Sequence, residues 1–526
     1  MAAIYKSGAV LVLALLLSAS ANAAESEAQK IERLERAVDE LKQQIEELKR
    51  ELVKPEPTAP QAAAAPTPAP AAPAAEARPV AQAEAALAAL AERVQIGAYG
   101  STRFESDSAD GLDNTFTLRR LVLTGDAAIA PRMRSYFELE FERFRKIELE
   151  QKVQSENGGL TIEQGIEGTN ESEISLEQAW LEYELARLLR ARIGGVLVPL
   201  GRFNLNHDDN RWDLPRRSLV DRGVPALPVK AAWDEVGAGL NGEVEVGQHG
   251  SLGYQLYVVN GAVIQPEVES ELESQNEEGQ GEVSVDAEFS TSTGTFGNDF
   301  KNAKTLTGRA VYSPFLGQEI AGSFYRGRYT PDFLPDENIT AFGVDGLSIW
   351  GPFELEGEYI HSDFGDVDAL ARAFAASVVN QEAASAAGEL ETKIAFGLDA
   401  LADRRDGYWI EPRYRFRPAW LKRSIFGRAF EDPVLAAVVR WEQVWLDGLL
   451  QDLEFTGGEV TALQKVDRRV DRFTIGGSYR PVPPVVFQLA YEYTRANHGA
   501  LAEVTNFLDT TDRENHAVLV GAAFGF

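Results

Sequence analysis

His516-Ala-Val-Leu-Val-Gly-Ala-Ala-Phe-Gly-Phe526 closes the chain, and its larger apolar side chains recur with a period of two. In an extended strand, successive side chains point to opposite faces, so one face would carry the larger side chains and the other the smaller ones. The larger set is Val518, Val520, Ala522, Phe524 and Phe526. Such a strand suits a β-barrel whose outer face meets lipid and whose end lies in the aromatic belt at the membrane interface. An edge strand of a soluble β-sandwich is the alternative.

The same alternation recurs from Val94 onward in segments of about ten residues that turn residues separate. One face of each segment is aromatic or aliphatic, and the other carries Glu or Arg. The clearest examples are 136–142, 353–359, 409–416 and 485–493. We count sixteen such strands, near 94–105, 115–127, 134–145, 174–185, 190–201, 234–246, 251–261, 301–313, 318–328, 339–350, 353–363, 406–416, 435–446, 468–480, 485–496 and 514–526.

Long polar connections alternate with tight turns between these strands. The long ones are 146–173, 202–233, 262–300, 364–405 and 447–467, and the tight ones include Ala130–Arg132, Gly247–Gly250, Gly351–Pro352 and Pro481–Pro484. This asymmetry is typical of outer-membrane barrels, which have long external loops and short periplasmic turns. We therefore predict an all-β fold, a transmembrane antiparallel β-barrel of about sixteen strands over 94–526, preceded by an α-helical coiled coil. The 417–434 connection is long where a tight turn is expected, and a short helix around Trp420 to Phe426 would account for part of it.

The amino-terminal region predicts three further segments. Residues 1–23 have the basic start, short apolar run and Ala21-Asn22-Ala23 cleavage signature of a secretory signal peptide. Residues 25–54 carry a heptad seam, which predicts a periplasmic coiled coil, although one amphipathic helix packed on its own domain would show a similar stripe. The seam consists of Ile31, Leu34, Val38, Leu41, Ile45, Leu48 and Leu52. Residues 55–93 form a Pro/Ala-rich linker with a possible short helix near its end, and such a linker acts as an extended spacer.

Composition excludes several classes of function. The formal net charge is −30, which argues against nucleic acid as a partner because phosphates need a basic surface. The chain has no Cys, and no two of its five His have a ligand spacing, so we predict no metal site and no cofactor.

Gly237-Ala-Gly239-Leu-Asn-Gly242 matches a dinucleotide-binding pattern but lies inside an alternating strand. Acid pairs such as Glu356 and Glu358 could serve a glycosidase, but many equivalent acids surround them, so we do not predict an enzyme.

Tyr183 and five short stretches carry a family resemblance: Phe116–Arg120, Gly194–Asn204, Asn206–Arg217, Glu235–Gly237 and Tyr257–Gly261. They resemble the phosphate-selective porin O/P family of trimeric sixteen-stranded outer-membrane porins. Gly521, Phe524 and Phe526 also resemble the carboxyl-terminal signal by which outer-membrane barrels are recognised for insertion. The resemblance implies a homotrimer in outer-membrane lipid and passive diffusion of small solutes. It does not carry over a phosphate preference, because this barrel has few Lys and many Glu.

Assigning the charged strand face to the lumen predicts a wall with two kinds of charge. The basic set is Arg103, Arg192, Arg309, Arg413, Arg415, Arg440 and Arg472. The acidic set is Glu138, Glu140, Glu142, Glu182, Glu354, Glu356, Glu358, Glu411, Glu442 and Glu492. Opposed charged walls in a water-filled pore would set a field that selects ions, although each residue could simply be solvated.

Loop 202–233 is the candidate constriction because it is long and rich in charge. Its charged residues are Asp208, Asp209, Arg211, Arg216, Arg217, Asp221 and Arg222. Whether this loop folds inward is open at this stage. Loop 262–300 is acidic and could either gather cations or be merely solvated.

Two hypotheses for function follow from these patterns. The first is an outer-membrane porin for small charged solutes, with a coiled-coil stalk that reaches toward peptidoglycan. The second is a secreted or surface β-rich protein that binds or hydrolyses glycans and is held on the same stalk.

Overall fold

The computed structural model describes residues 93–526, except 113, 143–146, 157–158, 169–172, 222–225, 276–280, 293–300, 374–375, 377–390, 398–400, 457–458, 503, 506–507 and 509. The predicted signal peptide, coiled coil and linker therefore lie outside the described residues. The strands are β1 (Val94–Asp107), β2 (Thr115–Ala130), β3 (Met133–Glu142), β4 (Ile147–Glu156), β5 (Gly159–Gly168), β6 (Glu173–Ala186), β7 (Leu189–Leu197), β8 (Asp234–Val246), β9 (Gly250–Val259), β10 (Val263–Gln275), β11 (Gly281–Ser292), β12 (Thr305–Phe315), β13 (Gln318–Arg328), β14 (Asn338–Trp350), β15 (Phe353–Phe364), β16 (Glu391–Gly397), β17 (Arg404–Phe416), β18 (Val434–Thr456), β19 (Glu459–Arg480), β20 (Val485–Ala496) and β21 (Glu514–Gly525).

Sixteen of these strands form a closed antiparallel barrel, which confirms the predicted fold class. Its ring order is β1-β2-β3-β6-β7-β8-β9-β12-β13-β14-β15-β17-β18-β19-β20-β21. The last strand closes the ring by pairing with the first, with Gly100 opposite Phe524 and Asp107 opposite Ala517. Closure leaves the barrel sheet, as the described residues form it, without an unpaired edge.

The carboxyl-terminal alternation predicted above is present in β21. Val518, Val520 and Phe524 are about half exposed on the outer face, at 47%, 47% and 50%. Ala517 and Leu519 point inward and are buried. The same parity holds around the ring, where the outer face exposes large apolar side chains and the inner face buries charged ones. Outward examples are Phe137, Leu256, Ile320, Val344, Trp441 and Leu489, and inward examples are Glu138, Arg309, Asp345, Glu411, Arg440 and Glu492.

Three of the predicted long loops contain regular structure that alternation alone did not reveal. The 146–173 connection holds the hairpin β4–β5. The 262–300 connection holds the hairpin β10–β11, and β16 from the next long connection pairs parallel to β11. The prediction of a loop at 447–467 was wrong, because β18 and β19 continue their pairing to Thr456 and Glu459.

The remaining connections contain only short helical segments in the described residues. A four-residue helix, α1 (Arg202–Leu205), and a 3-10 turn at Asp209–Arg211 lie in the connection after β7. Residues 367–373 are also helical. In the 417–434 connection the structure has only a 3-10 turn at Leu421–Arg423. None of the helices in the described part of the chain is both long and apolar enough to cross a bilayer.

Candidate functional site

Loop 202–233 folds into the barrel and crosses its interior. At one side His207 contacts Glu177 of β6, and Asp209 accepts a hydrogen bond from Ser101 of β1. At the other side the backbone carbonyl of Ala226 accepts from Ser362 of β15, and that of Leu227 from Arg405 of β17. Because β6 and β17 stand eight places apart in the ring of sixteen, the loop spans the lumen from wall to wall.

The loop carries an apolar core into a space that the sequence predicts to be water-filled. Phe203 and Trp212 stack with ring centroids 4.4 Å apart, and Trp409 of β17 packs edge-on against both. Arg440 lies over the Trp212 ring at 5.3 Å from its centroid. Aromatic stacking and cation–π contacts of this kind add to the burial energy of the rings. The loop is therefore packed against the wall as a folded element.

Asp213 is the anchor near the middle of the loop. Its carboxylate forms ion pairs with Arg415 at 2.8 Å and with Arg480 at 3.0 Å, and it accepts a hydrogen bond from Ser478 at 2.7 Å. Burial by itself would raise the pKa of Asp213, but Arg415, Arg480 and Arg413 outweigh burial and lower the pKa below its ordinary value. Asp213 therefore stays ionised at neutral and mildly acidic pH.

Arg216 is a second anchor, and it joins the first strand of the barrel to one of the last. Its guanidinium reaches Glu492 of β20 at 2.5 Å and Glu105 of β1 at 2.6 Å. Its backbone carbonyl accepts a hydrogen bond from Arg440 at 3.1 Å. Arg216 and Glu492 are both buried, so each neutralises a charge that would otherwise be costly to bury.

The start of the loop is fixed by a carboxylate of the wall. Glu358 of β15 accepts hydrogen bonds from the backbone N–H groups of Arg202 and Phe203, the latter at 2.8 Å. Those groups are unsatisfied at the first turn of a helix, and a carboxylate there complements them. Gly201 has φ +76°, and a Cβ on it would stand 3.0 Å from the Glu358 carboxylate. Glycine is needed here for both the backbone conformation and the close approach.

The structure places the predicted basic and acidic side chains next to one another, and not on two opposed walls. Acids and bases predicted for the lumen are paired along the wall, Arg440 with Glu411 at 2.5 Å and Arg472 with Glu442 at 2.6 Å. Further pairs are Arg413 with Glu411 and Glu356, Arg415 with Glu354, Arg309 with Asp345, Arg192 with Glu182, and Arg103 with Glu105. Loop 202–233 packs against Arg413, Arg440 and Arg472 of this wall. Buried charges persist when they are paired.

Residues of the predicted constriction loop fall in different environments. Arg216, Arg217 and Asp221 are buried, Asp209 is held between Arg120 and Arg217, and Asp208 is half-buried. Arg211 is exposed and forms a longer ion pair with Asp208, at 3.4 Å. Arg222 lies outside the described residues.

Sequence reasoning missed a group of side chains that irregular pairing turns inward. At the β3–β6 pairing, Glu138 faces Gln178 but Leu139 faces Leu176, so Glu177 is an extra, bulged residue. A similar shift occurs between β1 and β2, where Ser101 faces Arg120 and Thr102 faces Leu118, so Arg119 has no opposite residue in the strand pairing. A β-bulge breaks strict alternation and can aim two successive side chains to one side. Strict alternation was the rule used to assign the lumen face, so it could not find Glu177.

Glu140, Glu177 and His207 form a buried cluster where the loop meets β3 and β6. Their nitrogen and carboxylate oxygen atoms all lie within 4.8 Å of one another. The expectation of no metal site rested on the spacing of the five His along the chain, whereas these potential ligands come from three separate segments. The only sequence signal was that His207 lies in the stretch Asn206–Arg217 that carries the family resemblance.

Comparison with known protein sequences gives a match over only part of this chain. No protein-family profile matches the chain, so the family resemblance noted above stays a prediction. An uncharacterised protein of Aquifex aeolicus is 26% identical over 170 residues, which span 32% of this chain and 32% of that protein.

Solved barrels similar to this chain include three outer-membrane proteins. An anion-selective porin from Comamonas acidovorans covers 82% of this chain and 99% of its own, with 9% identity and a TM-score of 0.43. OmpF of Salmonella typhi, solved with daunomycin, covers 82% and 97%, with 10% identity and a TM-score of 0.43. The channel DcaP of Acinetobacter baumannii covers 82% and 97%, with 10% identity and a TM-score of 0.39. The assignment of a sixteen-stranded barrel to this chain rests on the pairing of its own strands.

Replacing Arg216 by Gln should loosen the loop. The change leaves the buried Glu492 carboxylate without this ion pair, and breaking a buried pair from one side costs about 3–5 kcal/mol. We expect faster amide hydrogen exchange over 212–221 and faster trypsin cleavage within the loop. Arg211→Gln is the matched control, because its side chain is 62% exposed and an exposed ion pair contributes about 0–1 kcal/mol. Equal exchange in the two variants would contradict the anchoring role of Arg216.

Asp213→Asn should weaken loop docking at pH 7 and lose its effect in acid. Because the pKa of Asp213 is lowered on folding, its stabilisation is present above the unfolded pKa of about 3.9 and is lost as pH falls through the folded value. A fluorophore attached through an Arg211→Cys substitution can follow docking, since the chain has no native Cys. The difference between the wild-type and Asp213→Asn proteins should stay constant from pH 7 to about 5 and vanish only well below about pH 3.9. A difference that already disappears at about pH 5 would argue against the Arg415 and Arg480 pairing.

Proposed function

We propose that this protein is an outer-membrane porin that passes small charged solutes through a lumen narrowed by loop 202–233. The observation that carries the proposal is the division of the closed barrel into an apolar outer face and a charged inner face. Leu256, Ile320 and Leu489 expose 44%, 58% and 59% of their surface on the outside. A barrel with this outer surface satisfies all its backbone groups within the sheet and can stand in lipid.

The rival hypothesis of a secreted glycan-binding or hydrolytic protein fits these features less well. A soluble barrel would expose the band of Phe, Leu, Ile and Val around its circumference to water, and large exposed apolar areas mark contact with lipid or protein. Glu356 and Glu358, the acid pair considered for hydrolysis, are both engaged by the loop. Glu356 pairs with Arg202 and Arg413, and Glu358 accepts the α1 backbone N–H groups.

We assign the pore a preference for cations. The chain carries 81 Asp and Glu against 51 Lys and Arg. An excess of fixed negative charge along a narrow path favours cations and repels anions. The ion pairs that hold the loop reduce this field without cancelling it.

Single-channel recording tests the function and its selectivity together. The purified protein should need detergent, open stepwise channels in a planar bilayer, and show a reversal potential displaced toward that of K⁺ in a KCl gradient. Glu319→Lys should shift the reversal potential toward anions, because Glu319 faces the lumen beside Arg202 at 2.8 Å. Glu245→Lys, near the β8–β9 turn and with its side chain 84% exposed, is the matched control and should leave selectivity unchanged. A protein that stays soluble without detergent and opens no channels would rule out the porin function.

The assembly is part of the proposal. Three barrels would associate in outer-membrane lipid, and the predicted coiled coil at 25–54 would extend below them into the periplasm toward peptidoglycan. The seam of β-branched residues at a and Leu at d favours two strands, but three tethers under one trimer raise the local concentration of helices into the millimolar range.

Deleting residues 25–54 tests whether the predicted coiled coil has a role apart from conductance. Conductance should stay the same, because the barrel strands begin at Val94, while the heat stability of the oligomer or its co-sedimentation with peptidoglycan should fall. Heating in detergent followed by electrophoresis measures the first property, and a pelleting assay measures the second. If both are unchanged, the helix does not have the role proposed here.

A further inference from the structure

The cluster where the loop meets β3 and β6 has the composition of a transition-metal site. His207 Nε2 lies 3.1 Å from Glu177 Oε2 and 3.8 Å from Asp208 Oδ1. The donor atoms of Glu140, Glu177 and His207 lie within 4.8 Å of one another, and all three residues are more than nine-tenths buried. Ligand atoms around a tetrahedral Zn²⁺ stand about 3.3–3.5 Å apart, so the side chains need to move by only about 1 Å or less.

His207 is oriented as a ligand would be. Its Nδ1 lies 2.8 Å from the backbone carbonyl of Asn204, which accepts a hydrogen bond from Nδ1–H and leaves Nε2 directed at the carboxylates. Asn204 is itself held, because its amide donates to Val198 and Trp233 and its side-chain oxygen accepts from the Trp233 N–H. A fixed hydrogen bond from the second imidazole nitrogen to a carbonyl is the usual support of a metal-bound His.

The carboxylates are arranged to receive a cation. Glu140 accepts a hydrogen bond from Arg120 through Oε2 at 3.1 Å, and one of its oxygens lies within 4.8 Å of the donor atoms of Glu177 and His207. Glu177 reaches the cluster only because it is the bulged residue of β6. Two carboxylates so close together need a shared proton or a cation between them, and the half-buried Asp208 adds a third carboxylate at the edge.

We propose that Glu140, Glu177 and His207 bind a divalent transition-metal cation such as Zn²⁺, with Asp208 close by at the edge of the cluster. One imidazole nitrogen together with carboxylate oxygens suits Zn²⁺ and its neighbours in the first transition row. The ligands come from β3, β6 and loop 202–233, so the bound ion fastens the loop to the wall opposite its Asp213 anchor. Metal binding does not depend on the porin function, but the consequence for conductance does.

Metal analysis of the full-length protein tests the site. The detergent-solubilised protein is stripped with chelator, dialysed against Zn²⁺ and then against metal-free buffer, and its zinc is measured by mass spectrometry. We expect about one Zn²⁺ per chain. Loss of an outer-shell partner alone costs about 10–100-fold in affinity, so Glu177→Gln and His207→Gln should each lose at least tenfold. His498→Gln changes an exposed His outside the cluster and is the matched control.

Two further measurements guard against variants that fold poorly. Asp208→Asn removes a half-buried negative charge at the edge of the cluster and should lower affinity while preserving heat-modifiable mobility. Co²⁺ bound in place of Zn²⁺ should give visible absorption bands that Glu177→Gln abolishes and His498→Gln keeps. Failure of wild-type protein to retain zinc, or equal retention by Glu177→Gln, His207→Gln and wild type, would overturn the site.

Channel recordings separate this proposal from the porin function. In wild type, Zn²⁺ should reduce fluctuations of the open-channel current, and in Glu177→Gln it should have no effect. Channels that open but neither bind nor respond to Zn²⁺ would overturn the metal site and leave the porin function standing. Stoichiometric zinc in a protein that opens no channels would support the site and overturn the porin function.

Discussion

The barrel depends on pairing charge inside a closed wall. Alternation gives each strand an apolar face and a charged face, and closure turns every charged face inward. Once a loop fills part of that interior, the charges there lose water, and each then needs an opposite charge or a hydrogen-bond partner close by. The pairs Arg440–Glu411 and Arg472–Glu442 meet this need along the wall, and Arg216 and Asp213 meet it from the loop.

Loop 202–233 is the element in which these requirements come together. Its aromatic residues Phe203 and Trp212 supply an apolar core within the lumen, and Glu358 of the wall fixes its first turn. Two opposed walls of free charge would set a strong field across a wide pore. In the folded barrel the opposite charges neighbour one another, so the field across the interior is weaker than that of two separate walls. The acidic groups also converge around Glu140 and Glu177, where the loop brings an imidazole to them.

The sequence by itself determined the barrel and the parity of its regular strands. Period-two alternation is a local property of the chain, so sixteen strands, the closing strand at the carboxyl terminus and the parity of residues such as Glu411 and Arg440 followed from it. Residues whose role depends on regular alternation were therefore predictable. The strand extensions in β18 and β19 were not, because their alternation is weaker than the polar composition that suggested a loop.

Only the tertiary structure decided which charges meet. The direction of loop 202–233 depends on partners more than a hundred residues away, such as Glu492 for Arg216 and Arg415 for Asp213, and no local pattern records such pairings. The inward turn of Glu177 results from a one-residue bulge, which reverses the parity that the sequence implies at that point. The sequence thus determines which residues can face the lumen, and long-range packing determines which of them are paired, buried or gathered into a site, because charge pairing and loss of water arise only when distant segments come together.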